Sequence, residues 1–272
     1  MTSELRPAVV DFHSHLVPGV DDGARDMDES LAAVGRMVEA GIEKIITTPH
    51  ANASLTHDPD GLRSWLDTVD EPWGNLTKQV RRLFPALELH RGHEVMLDVP
   101  DPDLSEPRLR LAGTSFVLVE WPRLQIPPRT TQVIQRIVAA GYHPIVAHPE
   151  RYAGMKREFE YAGAWRDAGA YLQVNHGSFA GRYGADAREV AGQLLERGWV
   201  DYLSSDFHGR AHLGIHLRDA DDFFTENDGV EQFHLLTVSN PGRVIDDQLP
   251  LPVPKMRIQE RFWDRLTKVF RR

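Results

Sequence analysis

The chain has 272 residues, 41% of them hydrophobic, which is enough for one large domain with a sizeable core. Its 31 Lys and Arg against 40 Asp and Glu give a formal net charge of −9, which argues against a general nucleic-acid binder. The absence of cysteine excludes disulfides, thiolate metal sites and cysteine nucleophiles. No window approaches about 18 consecutive apolar residues, and the first residues lack the pattern of a signal peptide, so we expect a cytoplasmic protein.

Apolar, β-branched runs alternate with amphipathic helical patterns along most of the chain. Strands are predicted at 9–12, 44–48, 86–89, 115–120, 144–147, 171–174 and 202–205, and helices at 28–40, 60–83 (interrupted around 71–74), 130–140, 157–168 and 187–197. This alternation predicts parallel β/α units. Seven such units favour a closed or nearly closed α/β barrel with its site at the carboxyl ends of the strands, and a doubly wound open sheet is the alternative.

The C-terminal part departs from this pattern. A Pro-rich linker at 249–254 separates the predicted barrel domain, 1–248, from a basic amphipathic tail within 249–272. The pattern at 257–272 predicts either an ordinary terminal helix that packs its apolar side chains or a helix that contacts an anionic membrane surface.

Metal-ligand residue types recur where the predicted strands end. The first strand runs into His13 and His15, and alternate residues of a strand point the same way, so the two imidazoles lie about 6–7 Å apart and can bind one divalent ion or two adjacent ones. The full strand-end set is His13, His15, Asp21, Asp22, His50, Glu94, Glu120, His148, Asp206 and His208. His93 should point away from its neighbour Glu94, and His176, His212 and His216 are not assigned a role.

The composition of this set indicates its chemistry. Imidazole and carboxylate ligands without sulfur suit Zn, Mn or Fe better than an oxygen-only Mg or Ca site. At roughly three protein ligands per catalytic ion, the set suffices for two or three ions. Clustered divalent ions generate hydroxide near neutral pH and neutralise the oxygens of a phosphoryl group during its transfer, and ions bridged by one carboxylate can hold the attacking and leaving oxygens together.

Eight short segments at their present separations give the sequence a family resemblance. They are DFHSHLVPGVDDGA from 11, TTPH from 47, GHEV from 92, VEWP from 119, AHPERY from 147, QVNHGS from 173, SSDFH from 204 and SNPGRVI from 239. Together they resemble the PHP (polymerase and histidinol phosphatase) superfamily. Within it the chain is most similar to the manganese-dependent protein tyrosine phosphatases of the capsular polysaccharide (CpsB/CapC) type, from about residue 9 to 245.

The resemblance implies a single-domain, distorted (β/α)7 TIM-like barrel, the PHP fold, with three divalent metal ions, Mn first and Fe, Zn or Mg as alternatives. Carried over by position, the metal ligands are His13, His15, Asp22, His50, Glu94, Glu120, His148, Asp206 and His208. Glu94 is expected to bridge ions. Arg151 falls at the family's phosphate-binding arginine. Arg210 is the candidate for a second one, although it follows His208 by only two positions, and His212 is its alternative.

The activity implied by the resemblance is hydrolysis of phosphotyrosine on proteins by metal-bound hydroxide, without a cysteine nucleophile. The implied partner is a membrane-bound bacterial tyrosine autokinase that controls capsule or exopolysaccharide synthesis, which would bring the protein to the inner membrane face. A histidinol-phosphate or other small phosphomonoester phosphatase of the same fold is the nearest alternative. An inactive scaffold that binds a kinase tail is the alternative from another class.

Overall fold

A computed structural model describes residues 8–259 of the chain. Its strands are β1 (Val9–Asp11), β2 (Ile42–Thr47), β3 (His50–Asn52), β4 (Glu88–Arg91), β5 (Glu94–Met96), β6 (Phe116–Glu120), β7 (His143–Ala147), β8 (Tyr171–Asn175) and β9 (Tyr202–Ser204). Its α-helices are α1 (Met27–Glu39), α2 (Pro59–Leu83), α3 (Thr130–Ala139), α4 (Glu160–Asp167), α5 (His176–Phe179), α6 (Ala185–Arg197), α7 (Leu217–Glu226), α8 (Val230–His234) and α9 (Asn240–Ile245).

The strands are parallel and follow one another around a barrel in chain order. A three-stranded sheet has the order β1-β2-β4, and a six-stranded sheet has the order β3-β5-β6-β7-β8-β9. Between β9 and β1, within residues 8–259, an isolated parallel bridge joins Ser14 to Phe207 in place of a continuous ladder. The architecture is therefore the predicted α/β barrel in its distorted form, with an interrupted ring of strands.

The seven predicted strands correspond to these nine because two of them are broken. The second strand breaks at Thr48 and Pro49 between β2 and β3, and the third breaks at Gly92 and His93 between β4 and β5. Backbone hydrogen bonds still hold the two breaks side by side, from Gly92 N to Thr47 O (3.0 Å) and from Glu94 N to Pro49 O (3.1 Å). The prediction ended both strands too early, so it placed residues of β3 and β5 in loops.

Helix α2 also differs from its prediction, which interrupted the helix around 71–74. The helix runs without a break through Pro72. Proline lacks one backbone donor, which weakens a helix locally without obliging it to end. The buried side chains at 62, 66, 69, 76 and 80 keep helical spacing on both sides of the proline, so packing of this apolar face holds the two halves in one helix.

An apolar plug fills the barrel beneath the carboxyl ends of the strands. It includes Phe12, Ile46, Leu118, Ile145 and Tyr202, all fully buried. None of the helices in residues 8–259 combines the length and the hydrophobicity that crossing a bilayer requires.

The described part of the predicted linker and tail, 249–259, packs along the barrel. Met256 and Ile258 are buried in the core, and Met256 N donates to Leu195 O (3.1 Å) at the end of α6. Gln259 N donates to Asn227 Oδ1 (2.9 Å), which follows α7. Helix α6 connects β8 to β9 and so runs from the carboxyl to the amino ends of the strands, which places Met256 at the opposite end of the barrel from the strand-end histidines. Residues 260–272 of the predicted tail lie outside the described residues.

Candidate metal centre

The junction between β1 and β9 brings together residues almost two hundred positions apart. Asp206 N donates to His13 O (2.8 Å), and His15 N donates to Phe207 O (2.9 Å). The rings of His13 and His15 are fully buried, 5.5 Å apart between centroids, and the His15 ring stacks on His208 at 4.2 Å. The two histidine motifs that the sequence singles out therefore form one site.

Glu94 lies at the centre of this site. His50 and Glu94 are register partners on β3 and β5, which explains their proximity. Glu94 Oε2 lies 3.2 Å from His13 Nε2, 3.4 Å from His15 Nε2 and 3.2 Å from His50 Nδ1, and Glu94 Oε1 lies 2.9 Å from His148 Nε2. One carboxylate thus faces four imidazoles, which is the position that a bridging ligand would occupy.

The nine predicted ligands fall into four overlapping groups whose candidate ligand atoms lie within 4.8 Å of one another. These groups are His15, Asp22, His50 and His208; His13, His15 and Glu94; His13, His148 and Asp206; and His50, Glu94 and Glu120. Asp22 carries the most exposed side chain of the set, 68% accessible, and its Oδ1 lies 3.4 Å from both His50 Nε2 and His208 Nε2. The site is therefore buried at His13 and open to solvent at Asp22.

The donor atoms fit a divalent metal ion. The Nε2 atoms of His13 and His15 are buried and have no hydrogen-bond partner among residues 8–259, although carboxylate oxygens lie 3.2–3.6 Å away. The Nδ1 atom of His15 is 2.7 Å from Asp21 Oδ2, an acceptor-only oxygen, so in the neutral ring Nδ1 carries the proton and Nε2 presents a lone pair to the cluster. Buried lone pairs that converge with carboxylates are the arrangement that a cation stabilises.

The charges of the cluster support this reading. Burial alone would raise the pKa of Glu94, but the surrounding imidazoles, His13 foremost, hold it well below its usual value. Asp206 has its pKa lowered against the effect of burial by His13, His15 and Arg151. Burial would lower the pKa of His50, but nearby Asp22 and Glu120 raise it to about 10. The carboxylates are therefore ionised and create a negative potential that attracts cations.

Two candidate ligands have an unusual backbone conformation. His148, directly after β7, has φ 36°, and Asp206, shortly after β9, has φ 51°. Left-handed φ values are unfavourable for such residues and persist where the surroundings impose them, often at functional sites. Both residues depart from the strand direction and direct their side chains to the cluster.

Arg151 lies at the edge of the cluster, in a short turn after β7. Its guanidinium contacts Asp206, and its Cζ lies 4.5 Å from the centroid of the Tyr183 ring. A cleft of about 540 Å³ opens beside it, lined also by Tyr152, Lys156 and Val190. Arg151 thus contacts both the candidate metal centre and a cleft large enough for a side chain.

Arg210 lies at another edge and makes different contacts. Its Nη1 is 3.3 Å from Glu29 Oε2, and its Nη2 donates to the backbone carbonyl of Asp22 (3.1 Å). These contacts place Arg210 beside the Asp22 loop, at the open side of the cluster. His212, the alternative residue, is exposed. The predicted second phosphate-binding role stays a prediction for either residue.

Four residues that lie near the cluster are not among the nine predicted ligands. Asp21 belongs to the strand-end set, but the structure places it behind His15 and not among the grouped ligands. Gln173 and Asn175 share one face of β8 and contact His13 and Asp206, and Tyr183 covers Arg151. The alternation of Gln173 and Asn175 on a strand that ends at the site was the available signal for the two amides. Neutral amides are less common ligands of Zn, Mn or Fe than imidazoles and carboxylates, and Tyr183 offered no such signal.

His93 turns away from the cluster, as its position next to Glu94 predicts. Its Nδ1 is 2.7 Å from the carbonyl oxygen of Arg108, and its ring lies 5.1 Å from that of Trp65. Burial lowers its pKa to about 4, so it is a neutral core residue at neutral pH.

Comparisons with known proteins agree with this geometry. The family model described as capsular polysaccharide synthesis, CpsB/CapC, matches residues 9–246. The chain is 27% identical to tyrosine-protein phosphatase YwqE of Bacillus subtilis, over 92% of this chain and 98% of that protein. It is 25% identical to tyrosine-protein phosphatase CpsB of Streptococcus pneumoniae, over 89% of this chain and 100% of that protein.

A solved structure extends the similarity to the fold. It comes from crystal structures of YwqE from Bacillus subtilis and CpsB from Streptococcus pneumoniae, described as unique metal-dependent tyrosine phosphatases. It matches with a TM-score of 0.75 and 26% identity, over 92% of this chain and 99% of that chain. Because the family model covers most of the sequence, this chain belongs to the CpsB/CapC family of capsular polysaccharide synthesis proteins.

Proposed function

We propose that this protein is a metal-dependent protein-tyrosine phosphatase. The observation that carries the proposal is the convergence of nine imidazole and carboxylate side chains at the strand ends, with Arg151 at their edge. The relatives named tyrosine-protein phosphatases support it, as does the family to which the chain belongs. The chain has no cysteine, so its residues offer no thiolate nucleophile for a phosphocysteine route.

We infer that the site holds three divalent ions, Mn first, with Fe, Zn or Mg as alternatives. The residues that would hold them are His13, His15, Asp22, His50, Glu94, Glu120, His148, Asp206 and His208. His15 belongs to two of the four groups and has only Nε2 free for the cluster, so fewer than four ions can have full ligand sets at once. When bound, divalent ions supply a water of lowered pKa and neutralise phosphoryl oxygens.

The residues around the cluster would bind and orient the substrate. Arg151 directs one guanidinium nitrogen to Asp206 and keeps further N–H donors for the oxygens of a phosphoryl group. The Tyr183 ring covers the guanidinium and restricts it to the edge of the cluster. The adjoining cleft would receive the tyrosine and its flanking peptide, with Tyr152, Lys156 and Tyr183 among the residues that line it.

The proposed partner is a phosphotyrosine protein, specifically a membrane-bound bacterial tyrosine kinase involved in capsule or exopolysaccharide synthesis. We place the protein in the cytoplasm at the inner membrane face, where such a substrate would be reached. Residues 260–272 carry five Lys or Arg and two Asp or Glu, a composition that favours weak contact with anionic lipid.

Truncation after Gln259 tests the membrane contact while keeping the buried Met256 and Ile258. The full chain should sediment with vesicles that contain anionic lipid, and the truncated protein should remain in the supernatant. Equal sedimentation of both would remove the tail from the proposal.

The substrate assignment is tested by hydrolysis with metal-stripped protein and Mn²⁺ added back. A phosphotyrosine peptide, the matching phosphoserine peptide and histidinol phosphate are compared for the wild type and Arg151→Ala, with Arg63→Ala as the control. Arg63 is an exposed arginine on α2 that contacts Asp60. We expect the phosphotyrosine peptide to be preferred, Arg151→Ala to lose most of kcat/KM and Arg63→Ala to be unchanged.

The other outcomes identify the alternatives. Preference for histidinol phosphate would move the substrate to a small phosphomonoester. Protein that binds Mn²⁺ and hydrolyses none of the three would leave a binding role, such as a scaffold for a kinase tail.

A further inference from the structure

Two neutral amides on β8 connect two candidate ligands that come from distant parts of the chain. Gln173 and Asn175 are fully buried and two residues apart on the strand, so their side chains share a face. Gln173 Oε1 lies 2.8 Å from His13 Nδ1, and Gln173 Nε2 donates to Asn175 Oδ1 (2.8 Å). Asn175 Nδ2 in turn donates to Asp206 Oδ2 (2.8 Å). These contacts form an unbroken chain of hydrogen bonds from Asp206 to His13, which we term the amide relay.

The direction of every hydrogen bond in the amide relay follows from its carboxylate end. The Asp206 carboxylate only accepts, so Asn175 must direct its NH2 group to Asp206 and its carbonyl oxygen to Gln173. Gln173 must then donate through its own NH2 group, which leaves its carbonyl oxygen facing His13. An amide oxygen cannot donate, so the proton of that last contact belongs to His13 Nδ1.

The tautomer of His13 decides what this residue can bind. With the proton on Nδ1, the Nε2 atom presents its lone pair to Glu94 and Asp206, at 3.2 and 3.5 Å. With the proton on Nε2, the same atom would direct a hydrogen into the cluster and could not accept a cation. The contacts of the amide relay permit the tautomer with the proton on Nδ1. In the tautomer with the proton on Nε2, Nδ1 would face the Gln173 oxygen without a hydrogen to share.

We propose that Gln173 and Asn175 are positioning residues of the metal centre, because the amide relay holds His13 in the tautomer and ring orientation that bind a metal ion. This inference rests on the proposed metal centre and adds residues that are not themselves ligands. The amide relay also couples Asp206 to His13, because the charge of Asp206 determines the proton position on His13 through two neutral side chains. Outer partners of a ligating imidazole typically change metal affinity by about 10–100-fold.

The first test measures Mn²⁺ affinity by titration calorimetry of metal-stripped protein. We expect Gln173→Leu and Asn175→Leu to bind Mn²⁺ about 10–100-fold more weakly than the wild type. Gln173→Glu loses the donor to Asn175 Oδ1, but both of its carboxylate oxygens are acceptors, so it needs no contact with Asn175 to present an acceptor to His13 Nδ1 and should bind within a few-fold of the wild type. The matched control is Asn240→Leu, because Asn240 is another fully buried asparagine, hydrogen-bonded to the carbonyls of Asp201 and Leu251 outside the cluster.

The control separates positioning from stability. Asn240→Leu should lower the unfolding temperature without changing Mn²⁺ affinity. Asn175→Leu should bind Mn²⁺ more weakly even when the two proteins are compared at the same fraction of folded protein. Equal Mn²⁺ affinity of Gln173→Leu and the wild type, within two-fold, would overturn the proposal. An equal loss of affinity in Asn240→Leu and Asn175→Leu would also overturn it, because the effect would then be one of stability.

A second measurement reads the tautomer directly. Long-range ¹H–¹⁵N spectra of histidine-labelled, Zn²⁺-loaded protein should show the His13 proton on Nδ1 in the wild type and in Gln173→Glu. A proton on Nε2 in the wild type would refute the amide relay even if phosphotyrosine is hydrolysed. Protein that binds Mn²⁺ with the expected variant effects but hydrolyses no phosphotyrosine would overturn the proposed function and leave the amide relay. A wild type that binds no divalent ion would overturn both.

Discussion

Asp21 and Asp22 are adjacent carboxylates with different surroundings, and substitution of Asp21 should expose the difference. Asp21 Oδ2 is 2.7 Å from His15 Nδ1 and 3.2 Å from His50 N, and Asp21 Oδ1 accepts from Gly23 N (2.9 Å). Both of its oxygens are therefore acceptors. Asp21→Asn keeps the shape but has only one acceptor oxygen, so one of these donors must face an NH2 group.

The magnitude follows from these contacts. An unsatisfied buried donor costs about 1–3 kcal/mol, which lowers stability with or without metal. Loss of the carboxylate behind His15 should also weaken Mn²⁺ binding by about 10–100-fold. At a free Mn²⁺ concentration of about 100 times the wild-type Kd, one site stabilises the wild type by about 2.7 kcal/mol. The variant would gain about 0.4–1.4 kcal/mol, which reduces the Mn²⁺-dependent rise in Tm by roughly 3–9 °C.

Calorimetric titration with Mn²⁺ and thermal unfolding with and without Mn²⁺ measure both effects. The control is Asp58→Asn, because Asp58 caps α2 by accepting from Gly61 N, and asparagine is an equally good cap. We expect the control to keep the wild-type affinity and Tm. An Asp21→Asn protein whose Mn²⁺ affinity equals that of the wild type would refute the assignment of Asp21 as the partner that orients His15.

Three further predictions concern residues at and beyond the cluster. Burial lowers the pKa of His176 to about 3, below that of the unfolded chain, so the unfolded state takes up the proton first as the pH falls. In urea unfolding with chelator, the wild type should lose roughly 2 kcal/mol more than His176→Leu between pH 7.5 and 5, and equal losses would contradict this. Arg166→Met leaves the buried Asp201 without its ion-pair partner and should lower the unfolding free energy by about 3–5 kcal/mol, whereas a loss below about 1 kcal/mol would contradict the pairing. Arg210→Ala should lower kcat/KM for a phosphotyrosine peptide by about tenfold through a higher KM, and an unchanged KM would remove Arg210 from phosphate binding.

The barrel could be predicted from the sequence because the patterns that indicate its strands and helices are local. Short β-branched runs separated by amphipathic helices require parallel strands, and parallel strands bring their carboxyl ends to one edge. His13 and His208 could therefore be placed in one site although they are almost two hundred residues apart. The sequence pattern cannot predict that the ring of strands is interrupted between β1 and β9, because the interruption depends on how far apart these strands pack.

The breaks within the second and third strands show a second limit. Pro49 and Gly92 carry the ordinary signals of strand ends, and the prediction ended the two strands at 48 and 89, just before them. The structure resumes both strands after the break because His50 and Glu94 pair with each other in register. That pairing is long-range, and no local pattern indicates it.

The residues that contact the candidate ligands from outside the cluster show a third limit of prediction from sequence. Residue type and spacing do not separate Asp21 from Asp22, and the family resemblance alone selected Asp22 as a ligand. The fold adds that Asp21 faces His15 Nδ1 while Asp22 faces the open side of the cluster. Gln173 and Asn175 have the spacing of a strand face but no charge, so nothing in their residue types connects them with a metal site. Their contribution depends on hydrogen-bond direction, which exists only in the folded structure.

The most direct test of the account is to measure bound metal and phosphotyrosine hydrolysis on the same samples. Metal-stripped wild type and His13→Ala are titrated with Mn²⁺, and the bound metal and the initial rate are determined at each addition. We predict that the wild-type rate rises with bound Mn²⁺, and that His13→Ala, which lacks an imidazole at the buried core of the cluster, loses both tight binding and turnover. Full activity in metal-stripped wild type, or in His13→Ala, would contradict the account.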